Sequence, residues 1–334
     1  MFIIDSYAVA VFFCFITMLC WGSWANTQKL ASKEWSFPLF YWDYTLGVVI
    51  LALILGLTMG SIGEEGRSFF ADLAQGHIDS YLSAFLGGVV FNLANLLIVA
   101  AIAIAGMAVA FPIGIGLALV IGVLVNYIAT PLGDPFLLFL GVGLVTMAII
   151  VDAIAYNRLS ESRETTPVKG ILISILGGIF MGFFFRFVAA SVSMNFAHPE
   201  PGMFTPYTGV FVFSLGVLAS SFLWNSIFMA KPPNGEPVTY GDYFKKGNIK
   251  LHLIGMLGGI IWAIGMAFSM IASEEAGFAI SYGLGQGATM IAAAWGVFIW
   301  KEFAGAPKGT TKLIVAMFTL FIVGLGLIVI ARVN

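Results

Sequence analysis

Ionisable side chains inside long apolar runs are costly, and each one therefore marks a candidate functional site. Asp43 lies near the start of the run 38–58, roughly 10 Å deep in a helix that rises 1.5 Å per residue. A carboxyl at that depth can act as a proton-coupling group. The alternative is a local cap or pair near the membrane interface, where Tyr41, Trp42 and Tyr44 are typical of an aromatic belt.

Arg186 lies in the run 168–190, in the half of the membrane predicted to be the outer one. A guanidinium there can hold an anionic substrate group or form a salt bridge with a carboxylate. It can equally extend outward to the membrane surface, and the three phenylalanines at 183–185 are as typical of that interfacial position. The sequence leaves both roles open.

Uncharged amides lie near the middle of other runs. Asn92 and Asn95 share a helix face, and Gln286 lies between two glycines. Such amides can line a cavity in which they hydrogen-bond a ring or polyol while aromatic side chains stack on its faces. The predicted substrate-binding residues are Trp21, Trp24, Asn92, Asn95, Trp262, Tyr282 and Gln286. The alternative is structural: amides can join helices by hydrogen bonds, and tryptophans can fill the core.

Several reaction classes lack their motifs in this sequence. It has no GxxxxGK[ST] for nucleotide binding and no HExxH, and His77, His198 and His252 fall in loops or at a helix edge. No nucleophile lies beside a base, so no catalytic residue, metal site or cofactor is predicted. A net charge of -2 gives no basic field for nucleic acid.

The candidate residues must be positioned by membrane helices. Hydrophobic residues make up 60% of the chain and charged residues only 10%, against about a quarter charged in soluble domains. A bilayer core needs roughly 20 apolar residues of helix. The sequence therefore predicts an all-α integral membrane protein with ten transmembrane helices, at 7–27, 38–58, 81–104, 107–128, 135–154, 168–190, 206–229, 251–271, 277–300 and 312–330.

Basic residues fall almost entirely on one side of these ten predicted helices. Twelve Lys or Arg residues follow the odd-numbered helices, whereas only Arg67 and Arg332 lie on the other side. Because positively charged short loops stay in the cytoplasm, we expect a multi-pass protein of the inner (plasma) membrane. Both termini should then face the periplasm or the cell exterior.

An internal repeat divides the chain into halves. Segments 86–116 and 257–287 keep one register at an offset of 171 residues. Five helices make one half, and an odd number inverts the second half in the membrane. We expect a first five-helix repeat at 1–156, a short cytoplasmic linker at 157–167 and a second, inverted repeat at 168–334.

The fifth and tenth predicted helices carry the fewest polar residues away from their ends. They share a Gly-x-Gly pattern, Gly141 and Gly143 in one and Gly324 and Gly326 in the other. Small residues of this kind let helices approach closely. We expect this pair to be peripheral or to form a homodimer.

Three short stretches carry a family resemblance: WGSW at 21–24, YWDYTL at 41–46, and LGGVV at 86–90 followed by Asn92 and Asn95. They resemble the ureide permeases of the drug/metabolite transporter superfamily, and the related bacterial glucose, ribose and rhamnose porters. The resemblance implies ten helices, outward termini and an inverted five-plus-five repeat. Plant members carry a longer central loop with a P-loop-like sequence, which this chain lacks.

We therefore predict a secondary active transporter that imports a small neutral polar solute together with protons, such as a ureide, nucleobase or monosaccharide. Neutrality is inferred from the uncharged amides. Its partners are then the substrate, protons and the lipid bilayer, without nucleic acid. The alternatives are an exporter of amphipathic drugs or metabolites, with a larger and more apolar cavity, and, less favoured, a membrane-embedded enzyme.

Overall fold

The computed structural model describes residues 1–31, 34–159 and 168–333, in which all regular secondary structure is helical. The helices are α1 Tyr7–Ser23, α2 Ala25–Ala31, α3 Phe37–Leu57, α4 Phe69–Gln75, α5 Ile78–Ala105, α6 Met107–Ala129, α7 Pro135–Asn157, α8 Val168–Ser191, α9 Pro206–Ala230, α10 Tyr240–Lys246, α11 Ile249–Ala276, α12 Phe278–Gly285, α13 Ala288–Ala294, a π-helical turn Trp295–Ile299, and α14 Thr310–Ile330.

Nine helical segments within these described ranges are long and apolar enough to cross a membrane, α1 and α2 together forming one of them. This confirms the predicted all-α integral membrane protein. The predicted continuous helix 277–300 differs, because it is divided into α12, α13 and the π-helical turn. Gly285 and Gly287 flank the break, and glycine disfavours the helix interior by about 1 kcal/mol relative to alanine. The count of ten spans stays a prediction.

The starts of the long helices follow local chemistry. Proline stands in the first turn of α3, α7 and α9, where its missing N–H costs no hydrogen bond. Asp134 caps α7 by accepting a hydrogen bond of 2.8 Å from the Leu137 backbone N–H. Each of these helices therefore begins where the sequence places a helix-start signal.

α5 and α11 correspond in length and in how they end. Each has 28 residues and is followed by a glycine with a positive φ angle, Gly106 with φ 84° and Gly277 with φ 82°. Gly88 of α5 lies against the backbone of α9, and Gly259 of α11 lies against the backbone of α3. The inverted relationship of the halves stays a prediction, and most of the linker 157–167 lies outside the described residues.

α7 and α14 pack against each other within the chain. A Cβ built on Gly141 would lie 2.6 Å from the Gly324 carbonyl oxygen, so the two glycines lie in direct backbone contact. Their outer faces expose large apolar side chains, including Phe136 and Ile322. The predicted homodimer through this pair stays a proposal.

Loops close one end of the helix bundle. Residues 58–76 and 192–205, called here the closed end, are joined by Arg67, which donates to Asp72 Oδ1 at 2.9 Å and to three carbonyl oxygens of the loop 199–203. The other Asp72 oxygen accepts from the Thr205 N–H at 2.7 Å. The hydrogen bonds from Arg67 and to the fully buried Asp72 therefore tie α4 and the segment before it to the loop between α8 and α9.

Candidate functional site

A cavity of about 710 Å³ opens at the end of the bundle opposite to the closed end. It runs between α1, α5, α8, α11 and the interrupted segment α12–α13. Its mouth is formed by α2, the end of α7, the link 232–236 and the segment after the π-helical turn, including Glu302. The volume is in the range of small-molecule sites, about 300 to 1,000 Å³.

Five of the seven predicted substrate-binding residues line this cavity: Trp21, Trp24, Asn95, Trp262 and Gln286. They come from α1, α5, α11 and the break between α12 and α13. Helix periodicity alone does not specify this convergence, because it depends on how distant helices pack. The other two predicted residues, Asn92 and Tyr282, do not line the cavity.

Aromatic rings form one wall of the cavity. Trp21 and Trp262 are stacked with centroids 5.9 Å apart, and Phe91 lies 4.3 Å from Trp262. The Trp21 indole N–H donates to the Trp262 carbonyl oxygen at 3.2 Å, which holds the Trp21 ring in place. Such a wall offers a flat surface on which a planar ligand can stack.

Gln286 and Asn95 supply polar groups to the cavity. Within the described ranges the Gln286 side chain forms no hydrogen bond, although the residue is only 8% exposed. The Asn95 amide nitrogen donates to the Tyr41 hydroxyl at 3.1 Å. Because a buried amide costs free energy unless it is hydrogen-bonded, Gln286 is prepared for a ligand or water.

Asn92 instead joins helices. Its amide nitrogen donates to Ser220 Oγ at 2.8 Å and Ser221 Oγ at 3.1 Å, and its oxygen accepts from the Tyr41 hydroxyl at 2.9 Å. The residue is fully buried and fully bonded. Asn92 therefore supports the site by holding Tyr41, which in turn orients Asn95.

Tyr282 is likewise buried away from the cavity. Its hydroxyl donates to the carbonyl oxygens of Ala118 at 3.1 Å and Met181 at 3.2 Å. It therefore joins α12 to α6 and α8. Arg186 also lies outside the cavity lining; it is half-buried, and no hydrogen bond or ion pair joins it to another residue in the described part of the chain.

Asp43 lies in a buried polar cluster outside the cavity lining. Its Oδ2 accepts from the Trp35 indole at 3.1 Å, and its Oδ1 lies 2.9 Å from His252 Nδ1 and accepts from the Tyr243 hydroxyl. Burial, followed by the contact with Asp43, raises the pKa of Tyr243. The sequence also allowed Tyr41 to belong to an aromatic belt at the membrane interface. In the structure Tyr41 is instead buried among helices.

The sequence interpretation missed Trp35, Tyr243 and His252 as partners of Asp43. The sequence predicts His252 in a loop or at a helix edge, and this residue lies in the first turn of α11. The available signal was Gly255, one turn later, against which Asp43 packs. A polar residue and a glycine on one helix face indicate that another helix brings a polar group close.

A second polar group at the mouth was also missed. Lys29 Nζ lies 2.7 Å from Glu302 Oε1, and the Tyr156 hydroxyl donates to Glu302 Oε2 at 2.7 Å. Burial raises the pKa of Glu302, but the hydrogen bonds from Lys29 and Tyr156 outweigh it and bring the pKa below its usual value. Asp152 lines the cavity beside this group.

Comparison with known proteins decides the family. The ureide permease model matches residues 40–166 and 157–331. This chain belongs to the ureide permease family. The family resemblance predicted from the motifs is thereby confirmed, and the broader superfamily stays a prediction.

Ureide permease relatives align over nearly the full length. Ureide permease 1 of Arabidopsis thaliana is 23% identical over 98% of this chain and 98% of its own. Ureide permease 5 of the same plant is 22% identical over 98% of this chain and 95% of its own. These permease names point to a transporter and not to an enzyme.

The fold of this ureide permease family member has a solved counterpart. A structure titled only "Crystal structure of protein" aligns with 98% of this chain and 99% of its own, with a TM-score of 0.56 and 14% identity. At that identity the likeness concerns the fold alone.

Proposed function

We propose that this protein is a secondary active transporter that carries a small neutral polar solute of the ureide class, driven by a proton gradient. Nucleobases and monosaccharides rank next. The observation that carries the proposal is the cavity that is lined both by the stacked pair Trp21 and Trp262 and by Gln286, whose amide has no hydrogen bond among the described residues. The names of the related ureide permeases support the ureide class.

The chemistry of a ureide fits this combination. Ureides are rich in N–H donors and carbonyl acceptors, and an amide side chain can both donate to and accept from them. Gln286 and Asn95 supply such groups, and Trp21, the less buried member of the stacked pair, supplies an aromatic surface. No charged side chain lies among these residues, which favours a neutral solute over an ion.

Alternating access explains why one end is open. The cavity opens at the basic side of the bundle, next to Lys29, while the hydrogen bonds of Arg67 and Asp72 to the loop 192–205 join the two segments of the closed end. We infer that the structure represents an inward-facing state, with the termini outside and the mouth in the cytoplasm. Transport then requires the closed end to open while the mouth closes.

A proton-coupling carboxyl must be buried and must exchange its proton with the transport path. The sequence nominates Asp43, which is fully buried. Its hydrogen bonds to Trp35, Tyr243 and His252 also suit a purely structural role, so the variant Asp43→Asn has to be compared with wild type.

Export of amphipathic compounds is the second candidate function. One side of the cavity is apolar and includes Ile102, Met107 and Phe111. An exporter would use this part to hold a larger hydrophobic molecule. The experiment therefore has to distinguish small polar solutes from amphipathic ones.

Counterflow in proteoliposomes tests the substrate class without requiring a gradient. Proteoliposomes that contain the purified protein would be preloaded with one unlabelled compound and supplied with the same compound in labelled form on the outside. The compounds are allantoin, uracil, xanthine, glucose, ribose and rhamnose. We expect counterflow with allantoin to exceed that with the sugars. Counterflow with none of them, together with binding of an amphipathic dye, would favour the exporter.

A further inference from the structure

A second buried carboxyl, Asp152, lies on the transport path itself. It belongs to the last two turns of α7, lines the cavity and is only 6% exposed. Asp43, by contrast, is fully buried and does not line the cavity. Of these two carboxyls, Asp152 is therefore the one that a solute or ion in the cavity can reach directly.

Asp152 has no partner of its own in the described part of the chain. No donor forms a hydrogen bond to its carboxyl oxygens there, and the charge that acts on it is the like charge of Glu302. Lys29 cannot compensate fully, because its ammonium group is engaged by Glu302 at 2.7 Å and stacks over the Trp300 ring at 4.3 Å. A buried carboxylate in this position is costly.

The elements packed against α7 bring little compensating charge. In α6 the only titratable side chain is Tyr127, close to its far end, and in α14 it is Lys312, in the first turn. The segment after the π-helical turn contributes Lys301, Glu302 and Lys308. On α7 itself Tyr156 lies one turn further and already donates to Glu302.

We propose that Asp152 binds the coupling proton, which it takes up from the cavity. Protonation removes the repulsion from Glu302 and the cost of burying an unpaired charge. A metal cation fits this position less well, since it needs several oxygen ligands and the adjacent carboxylate of Glu302 is occupied. The inference rests on the proposed function for the solute, and it reassigns the coupling role from Asp43 to Asp152.

The carboxyl groups of Asp43 and Asp152 differ in the hydrogen bonds that they accept. Asp43 accepts from Trp35, Tyr243 and His252, three donors that stabilise a carboxylate and would lose contacts on protonation. Asp152 has no such donors in the described ranges. A coupling group must gain and lose a proton in every transport cycle. The environment of Asp152 suits this requirement better than that of Asp43.

Proton-driven uptake tests the assignment with matched variants. Wild type, Asp152→Asn, Asp43→Asn and Asp134→Asn would be reconstituted, and allantoin uptake would be measured with and without an inward gradient of one pH unit. One proton per solute allows about tenfold accumulation per pH unit. Asp134 caps the other end of the same helix, and asparagine is an equally good cap, so this variant controls for the chemical change.

We expect Asp152→Asn to lose the stimulation by the gradient and the solute-induced proton influx reported by a trapped pH dye. Its counterflow at equal pH, which needs no proton gradient, shows whether the variant still folds and carries the solute. Asp43→Asn and Asp134→Asn should keep the stimulation. Stimulation that persists in Asp152→Asn, or that is lost only in Asp43→Asn, overturns the assignment.

A labelling experiment on wild-type protein is independent of the variants and of the solute. An apolar carbodiimide reacts with protonated carboxyls in apolar surroundings, and mass spectrometry locates the adduct. We expect Asp152 to be labelled more at pH 5.5 than at pH 8.5, and Asp43 to be labelled less. Absent labelling at Asp152 overturns the proposal, whereas labelling without any allantoin counterflow rejects only the solute class.

Discussion

His252 Nδ1 lies 2.9 Å from Asp43 Oδ1, so one contact ties the first turn of α11 to the start of α3. Tyr243 of α10 donates to the same carboxylate, and Trp35 donates to its other oxygen. One buried side chain thus holds together three helices and the segment before α3. We therefore expect Asp43 to stabilise the fold, and this role can be tested separately from transport.

Replacing Asp43 by asparagine should destabilise the protein more than it affects coupling. Hydrogen bonds to a charged group are worth about 1.5 to 3 kcal/mol each, against about 1 kcal/mol for neutral ones. We expect Asp43→Asn to lower the thermal midpoint in detergent clearly, and Tyr243→Phe, which removes one donor, to lower it less. An unchanged midpoint together with lost proton coupling would return the coupling role to Asp43.

Gln286→Leu should weaken solute binding while leaving the fold intact. The side chain has no hydrogen bond in the described ranges, so its replacement breaks no hydrogen bond there. One or two neutral hydrogen bonds to the solute are worth about 0.5 to 1.5 kcal/mol each. We therefore expect roughly a tenfold higher Kd for allantoin, about 1.4 kcal/mol, measured by equilibrium binding.

A lipid-facing polar residue provides the control for Gln286→Leu. Thr319 is exposed on α14, and its hydroxyl donates to its own helix at 2.8 Å. Thr319→Val should leave the Kd unchanged. Equal effects of both substitutions would mean that Gln286 acts through general stability and not through contact with the solute.

Arg67→Met should open the closed end. It leaves Asp72, which is fully buried, without its ion-pair partner. Breaking a buried pair by removing one member costs about 3 to 5 kcal/mol. We expect a cysteine placed at the buried position Thr205 to react faster with an impermeant maleimide in the Arg67→Met background than in the wild-type background, both lacking the native cysteines.

The contact between His77 and Asp79 offers the matched control for the closed end. Both side chains are largely exposed, at 68% and 84%, and such pairs contribute little. Asp79→Asn should leave the labelling rate unchanged. If Arg67→Met also leaves it unchanged, the ion pair of Arg67 and Asp72 does not hold this end closed.

Gly259→Ala should disturb the contact between α11 and α3. An added Cβ would overlap the Tyr44 backbone, and overpacking costs about 1 to 3 kcal/mol. At Gly326 on α14, a Cβ would meet nothing within 4 Å. We expect Gly259→Ala to lower the thermal midpoint and Gly326→Ala to leave it unchanged or raise it; equal midpoints would contradict the close approach of these helices.

The contact between Lys29 and Glu302 should depend on pH in a defined direction. Because the pKa of Glu302 in the folded protein is below its unfolded value of about 4.3, the contact stabilises the protein above that value. It is lost as the pH falls through the lower folded value. We expect Glu302→Gln to reduce the acid sensitivity of the thermal midpoint below about pH 4, and an unchanged sensitivity there would contradict this role of the contact.

The sequence by itself was enough to predict the membrane environment of this protein, its family and several residues of its candidate site. Hydropathy over about 20 residues is a local property, so the membrane helices could be predicted. The WGSW stretch at 21–24 and the amides Asn95 and Gln286 could be nominated because polar and aromatic side chains are conspicuous inside apolar runs.

Only the tertiary structure decided which polar groups meet the cavity. Asn92 and Asn95 share a helix face, yet one is fully bonded to α9 and the other lines the cavity. Asp43 and Asp152 are both acidic residues in apolar runs, yet among the described residues hydrogen-bond donors contact Asp43 and none contacts Asp152. Whether a buried polar group is bonded or free depends on helices far away in the chain, and local sequence does not encode how they pack.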